Sequence, residues 1–172
     1  MGETEVLNRD VKQQGAGAQA NAPSSASASH LALVIGEDRY LVDLAEAGEI
    51  VPMPPAILPV PLTHEWFMGV VNVRGTLFTV VDFSRFMGGR STPLSKESRL
   101  VTISPSLQFN TTLLVSRMAG LRSIATMTPV TDSLADDKPW MGQQFKDAEG
   151  QTWRHLSLSK LVSSSAFLMV GR

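Results

Sequence analysis

Acid–base or metal chemistry in this chain would have to come from three histidines, His30, His64 and His155, and from carboxylates, because there is no cysteine to act as nucleophile, thiolate ligand or disulfide partner. The histidines are far apart in sequence, and none is paired at helical spacing. There is no Gly-x-Ser-x-Gly elbow, Walker-type loop or Gly-x-Gly-x-x-Gly cradle. Asp132, Asp136 and Asp137 are grouped but lack the ligand spacing of a calcium loop, and read as a solvated acidic stretch. The arrangement that asks for an explanation is a polar pair, Asn72 and Arg74, set in a valine-rich run. Glu49, upstream, is available to accept the guanidinium in a bidentate ion pair. Such a group shapes or presents a surface rather than performing a reaction, so no enzyme is expected.

The elements that must position this pair follow from the pattern around it. Between Gly69 and Phe83, Val70, Val71 and Val73 precede Arg74-Gly75, and Leu77, Phe78, Val80 and Val81 follow it, which predicts a β-hairpin. Gly75 supplies the positive φ of a tight reversal. Asn72 and Arg74 are two apart and so are expected on one strand face, opposite Val71 and Val73. Upstream, Leu31-Ala-Leu-Val-Ile, a turn at Gly36-Glu-Asp-Arg and Tyr40-Leu-Val-Asp-Leu predict an opening hairpin, and Glu49-Ile50-Val51 a further short strand. The prolines from Pro52 to Pro61 exclude a central strand there, and Ile57, Leu58 and Val60 make that segment a packed surface connection rather than a ligand for an SH3-like groove. Thr63 is placed to cap a single helical turn over residues 62–68, with Trp66 and Phe67 as anchors and His64 solvated on it.

A short helix over residues 84–89 and a polar loop over 90–98 come next, with Arg85, Arg90, Lys96 and Arg99 as a solvated basic cluster. Strands are expected at residues 99–103, 111–116, 121–127 and 151–158, a long irregular connection at 129–142, a short helix at 159–163 and a closing strand at 166–170. Many short strands without long amphipathic helices favour an all-β barrel or sandwich. Residues 1–29, dominated by Gln, Gly, Ala, Asn and Ser, are expected to be a disordered N-terminal tail, and residues 30–170 the folded domain.

With 15 basic and 16 acidic residues the net charge is -1, which gives no electrostatic reason to bind nucleic acid or an anionic membrane. No signal sequence, myristoylation motif or membrane-length apolar run is present, so a soluble, cytoplasmic protein without cofactors is expected.

These residues resemble the CheW-like family of chemosensory coupling proteins. The matching pieces are Tyr40-Leu-Val-Asp-Leu, Glu49-Ile50, Pro59-Val-Pro and above all Gly69-Val-Val-Asn-Val-Arg-Gly followed by Val80-Val-Asp-Phe. The later stretch Leu113-Leu-Val-Ser-Arg-Met-Ala-Gly-Leu-Arg, with Trp140, Gly142 and Gly150-Gln-Thr-Trp153, is most similar to the branch that serves type IV pilus twitching motility. The resemblance implies an all-β fold of two intertwined five-stranded SH3-like barrels with short helices and no catalytic residues. It implies a cytoplasmic adaptor, associated with membrane receptor arrays through its partners. Those partners would be the regulatory domain of a CheA-type histidine kinase and the cytoplasmic tip of a methyl-accepting chemoreceptor. Carried over by motif, Glu49, Ile50, Asn72, Arg74 and Gly75 would be partner-binding, and Asp82 mainly structural. Thr79 stands where flagellar chemotaxis members usually carry Pro, and Ser116 where they carry Asp, which favours the pilus branch. A flagellar coupling protein and a generic SH3-like peptide-binding module are the alternatives.

Overall fold

Alternating apolar residues, punctuated by glycine and proline, fold here into two sheets, with eleven strands among the described residues. The structure, a computed structural model, describes residues 29–131 and 138–172. The expected tail, apart from Ser29, and the Asp132, Asp136 and Asp137 group lie outside the described residues. In chain order the strands are β1 (His30–Ile35), β2 (Asp38–Asp43), β3 (Ala47–Pro52), β4 (Phe67–Val73), β5 (Thr76–Asp82), β6 (Arg99–Ile103), β7 (Thr111–Val115), β8 (Arg117–Arg122), β9 (Thr128–Pro129), β10 (Met141–Lys146) and β11 (Thr152–Leu156). Among the described residues there are three α-helices of about one turn: α1 (Phe83–Phe86), α2 (Leu158–Val162) and α3 (Ser165–Leu168).

One sheet has five strands in the order β3-β6-β7-β5-β4; the other has six, β8-β1-β2-β11-β10-β9. The five-stranded sheet is a continuous piece of chain inserted between β2 and β8. The opening hairpin therefore belongs with the C-terminal strands, joined to them by the parallel pairing of β2 with β11. Each sheet curls around its own interior. Val71, Val80, Leu100 and Leu114 fill the first, with Val51 and Val73 from near the two sheet edges packed on the same cluster. Ala32, Leu41, Met127 and Trp153 fill the second. The other face of each sheet contributes to a third and larger core between the two, where Leu33, Tyr40, Val81, Phe83, Leu113 and Leu156 meet. Burying both faces of β1 is what makes it read as a continuous apolar run. Trp66 stacks on Phe167 and meets Phe86 edge to face at 5.0 Å, so it anchors this central layer as expected.

The fold class is as expected, all-β with short helices, with two differences in the barrels. The second sheet carries an additional short strand, β9, and in neither sheet do the edge strands pair with each other. The first is brought round instead by the Pro-rich connection. It leaves β3 at one edge and pairs Leu58 with Val70 on β4 at the other, through two backbone hydrogen bonds of 2.9 Å.

Several local expectations are corrected. The segment before β4 is turn and bridge rather than helix: Thr63 Oγ1 donates back to Val60 O, and Thr63 bridges to Gly171. The strand expected at 121–127 lies earlier, at Arg117–Arg122, and Ile124–Thr126 is a 3-10 turn. Gly120 sits inside β8 near a bulge against β1. β10 occupies part of the expected irregular region and extends beyond it. The closing apolar run is helical, because Phe167 must reach the central core from one side of a short turn.

Candidate functional site

The β4–β5 ladder runs from Phe67 opposite Val81 to Val73 opposite Thr76, leaving Arg74-Gly75 as a two-residue loop. Both loop residues have positive φ, 52° and 86°, the conformation whose twist matches that of the flanking strands. Asn72 Oδ1 accepts from the Gly75 N–H at 2.8 Å, so the asparagine helps to hold the turn. Arg74 is thus a turn residue rather than a strand residue sharing the Asn72 face, because alternation stops at Val73. The strand closest to Leu58 explains another residue of the motif. A Cβ on Gly69, at φ 136°, would lie 2.0 Å from the Leu58 carbonyl oxygen, so the Pro-rich segment can pair there only against glycine.

Arg74 Nη1 donates to Glu49 Oε1 at 3.3 Å. The contact is a single long bond rather than the bidentate pair expected, between side chains 81% and 50% exposed. Glu49 and Ile50 lie on β3 beside a bulge between Ala47 and Ile50, and the Glu49 N–H donates to Thr102 Oγ1 at 2.7 Å. Since β3 is one edge of the sheet and β4 the other, the ion pair spans the seam of the first barrel. Glu49, Val73, Arg74, Phe78, Thr102 and Asn110 line a shallow groove of about 190 Å³ there. Ile50 and Leu77 are exposed nearby in sequence and ladder, Leu77 directly opposite Asn72. A second, apolar hollow of about 270 Å³ runs along the base of the hairpin between Phe67, Thr79, Phe109, Phe167 and Leu168.

Asp82 is buried at the end of β5, where its carboxylate accepts from the Thr92 N–H at 2.8 Å and the Thr92 hydroxyl at 2.7 Å and caps α1 through the Arg85 N–H. It locks the polar loop to the barrel and fits the structural role expected of it. His64 is half-buried and stacked on Trp66 rather than solvated. Two of the four basic residues are engaged locally: Arg85 pairs with Glu65 and Ser91, and Arg99 donates to the carbonyls of Lys96 and Ser98.

Two features escaped the sequence. Glu46 caps the N-terminus of α2, its carboxylate accepting from the N–H groups of Leu158 and Ser159. His30 and His155, isolated in sequence, meet on either side of Asp43. Neither is legible locally, because both depend on how the chain's two ends come together.

Among the described residues, no helix is long and apolar enough to cross a membrane. Residues 29–166 match the model of the CheW-like domain. Over 97 residues the chain is 27% identical to Protein PilI of Pseudomonas aeruginosa, a match covering 56% of this chain and 54% of that protein. The matched region thus spans about half the length of that relative. The fold resembles the crystal structure of scaffolding protein TtCheW from Thermoanaerobacter tengcongensis, with a TM-score of 0.67 at 20% identity, over 81% of this chain and 95% of the other.

Proposed function

We propose a scaffolding role for this chain, which belongs to the CheW-like domain family: it is a non-catalytic cytoplasmic adaptor joining a CheA-type histidine kinase to the cytoplasmic tip of a methyl-accepting receptor. The pathway we propose is type IV pilus twitching motility, for which the similarity to Protein PilI is the support. The kinase contact is through the kinase's own CheW-like regulatory domain. Glu49, Ile50, Asn72, Arg74 and Gly75 form the partner-facing surface at the tip of the first barrel.

The observation that carries this choice of face is the exposed Arg74–Glu49 pair across the barrel seam. An ion pair so open to solvent contributes only about 0–1 kcal/mol to stability, so its two charges remain available to a partner. The neighbouring exposed Ile50 and Leu77 add apolar area beside them. Coupling through such a surface needs no reaction. It requires that contacts differ between the kinase-on and kinase-off arrangements.

The test is binding of the purified full chain to a kinase regulatory domain and to a receptor-tip hairpin. Arg74→Glu should weaken the receptor-tip complex at least about 10-fold while the fold is retained. Binding to neither partner would overturn the adaptor reading, and undiminished binding by the variant would remove this face from it. Deleting the gene should abolish twitching and spare swimming; the reverse phenotype would reassign the pathway to flagellar chemotaxis.

A further inference from the structure

His30 and Asp43 are directly opposed in the β1–β2 ladder. The parallel pairing of β11 with β2 sets His155 beside Leu41, one same-face position from Asp43. Asp43 Oδ1 lies 2.7 Å from His30 Nε2 and 3.4 Å from His155 Nε2, and the two rings meet edge to face at 5.4 Å. One nitrogen from each ring and a carboxylate oxygen lie within 4.8 Å of one another. Imidazole nitrogen and carboxylate oxygen bind zinc at about 2.0–2.2 Å, which in a tetrahedral site places them roughly 3.3–3.6 Å apart. Small side-chain adjustments bring the three atoms into that arrangement.

The surroundings suit a cation. Ser29 Oγ lies 2.6 Å from His30 Nδ1, where it can accept a hydrogen bond from Nδ1–H once an ion takes the place of the proton between Nε2 and Asp43, the usual outer partner of a ligating histidine. His30 is buried, so an ion bound through it would be shielded from solvent on that side. On the far side of His155, a Cβ at Gly142 would come 3.1 Å from Nδ1, so the glycine leaves that nitrogen room. The nearest strand-partner cation, Arg122, is engaged by Asp147 at 3.6 Å and lies 4.8 Å over the Trp153 ring. Asp43 and His155 are partly exposed, which gives an ion an approach from solvent.

We propose that His30, Asp43 and His155 form a binding site for a divalent transition metal of the zinc class, with solvent completing the coordination. Two imidazoles and one carboxylate favour zinc, nickel or copper over magnesium or calcium. The three ligands come from β1, β2 and β11, so the ion staples the opening hairpin to the C-terminal strands. It acts on the stability of the second barrel and is independent of the partner surface on the first.

The experiment titrates metal-free full chain with zinc chloride by calorimetry, with cobalt(II) absorption as a spectroscopic reporter. One zinc per chain is expected, with the thermal midpoint rising by roughly 5–10 °C at about a 100-fold excess over Kd. His155→Asn and Asp43→Asn, at partly exposed positions, should each weaken zinc binding about 100-fold or more and so remove most of the thermal gain. His64→Asn should change neither. In the unaltered protein, the imidazole NMR signals of His30 and His155 should move with zinc and that of His64 should not, which tests the site without relying on a variant that folds. No binding up to millimolar zinc, a gain that survives His155→Asn, or one lost in His64→Asn would overturn the proposal.

Discussion

Removing the Arg74 side chain separates a structural from a partner-facing role, because the structure sets a low ceiling on what it contributes to folding. Its ion-pair contact among the described residues is a 3.3 Å bond to Glu49 between exposed groups, which amounts to about 0–1 kcal/mol. Against this stands the backbone: at φ 52° a residue with a Cβ carries a cost of about 1–2 kcal/mol that glycine avoids. Arg74→Ala, which keeps the strain and loses the ion pair, should therefore destabilise by no more than ~1 kcal/mol. Arg74→Gly, which loses both, should be neutral or more stable by up to ~1 kcal/mol. For a chain of this size these changes amount to shifts of roughly 2–4 °C. Urea melts of the two variants measure the folding side, and titration against a receptor-tip hairpin measures the other. On the proposed role of Arg74 at the partner-facing surface, both variants should lose about 2 kcal/mol of affinity, or roughly 30-fold. A stability loss in Arg74→Ala above ~2 kcal/mol, or affinities unchanged within about twofold, would refute this reasoning.

Gly69→Ala should destabilise by about 3 kcal/mol or more in equilibrium unfolding, since the added carbon meets the Leu58 carbonyl at 2.0 Å and the pairing of the Pro-rich segment with β4 must break. Asp82→Ala leaves the buried Thr92 N–H and hydroxyl without their acceptor and should cost about 3 kcal/mol, with faster hydrogen exchange at Thr92. At Asp147, the Trp153 indole N–H, then the N–H groups of Gln151 and Glu149 and the Arg122 guanidinium, hold the carboxyl below the usual carboxylate range, against the opposing effect of burial. A lowered pKa stabilises the fold above the unfolded-state value, near 4, and that contribution is lost as pH falls toward the lower folded value. Acid titration of Asp147→Asn followed by Trp fluorescence should accordingly show a shallower fall in stability below about pH 4 than the unaltered protein.

What the sequence discloses is local. The hairpin from Gly69 to Phe83 is legible because β-branched alternation and an Arg-Gly turn act over a few residues, and Asp82 because its place at the end of the strand is part of a recognisable motif. Nothing local announces that β2 pairs in parallel with β11, so the meeting of His30, Asp43 and His155 and the capping of α2 by Glu46 are hidden. Met141-Gly-Gln-Gln-Phe-Lys has too little alternation to advertise β10. The run Ala166-Phe-Leu-Met-Val satisfies strand and helix patterns equally, and only the need to place Phe167 in the central core decides between them. Arg74 is the converse case. Its polarity drew attention, while its position in the turn, which sets its conformational strain, emerges only with the register of the ladder.

The insertion of the first barrel into the second has a consequence for the order in which the chain is made. As the polypeptide leaves the ribosome, the strands from Ala47 to Val115 emerge together and complete the five-stranded sheet early. The β1–β2 hairpin, by contrast, first meets β8 and Met127, its cluster of Ala32 and Leu41 is completed only when Trp153 arrives, and the contact between Asp43 and His155 closes over 112 residues. Non-local pairing of this kind is slow to form, and the uncovered strand edge is exposed to other chains meanwhile. Closure of the second sheet therefore waits on β11, and truncation before that strand would leave β1 with its β8 partner but remove the parallel neighbour of β2 and the Trp153 cover.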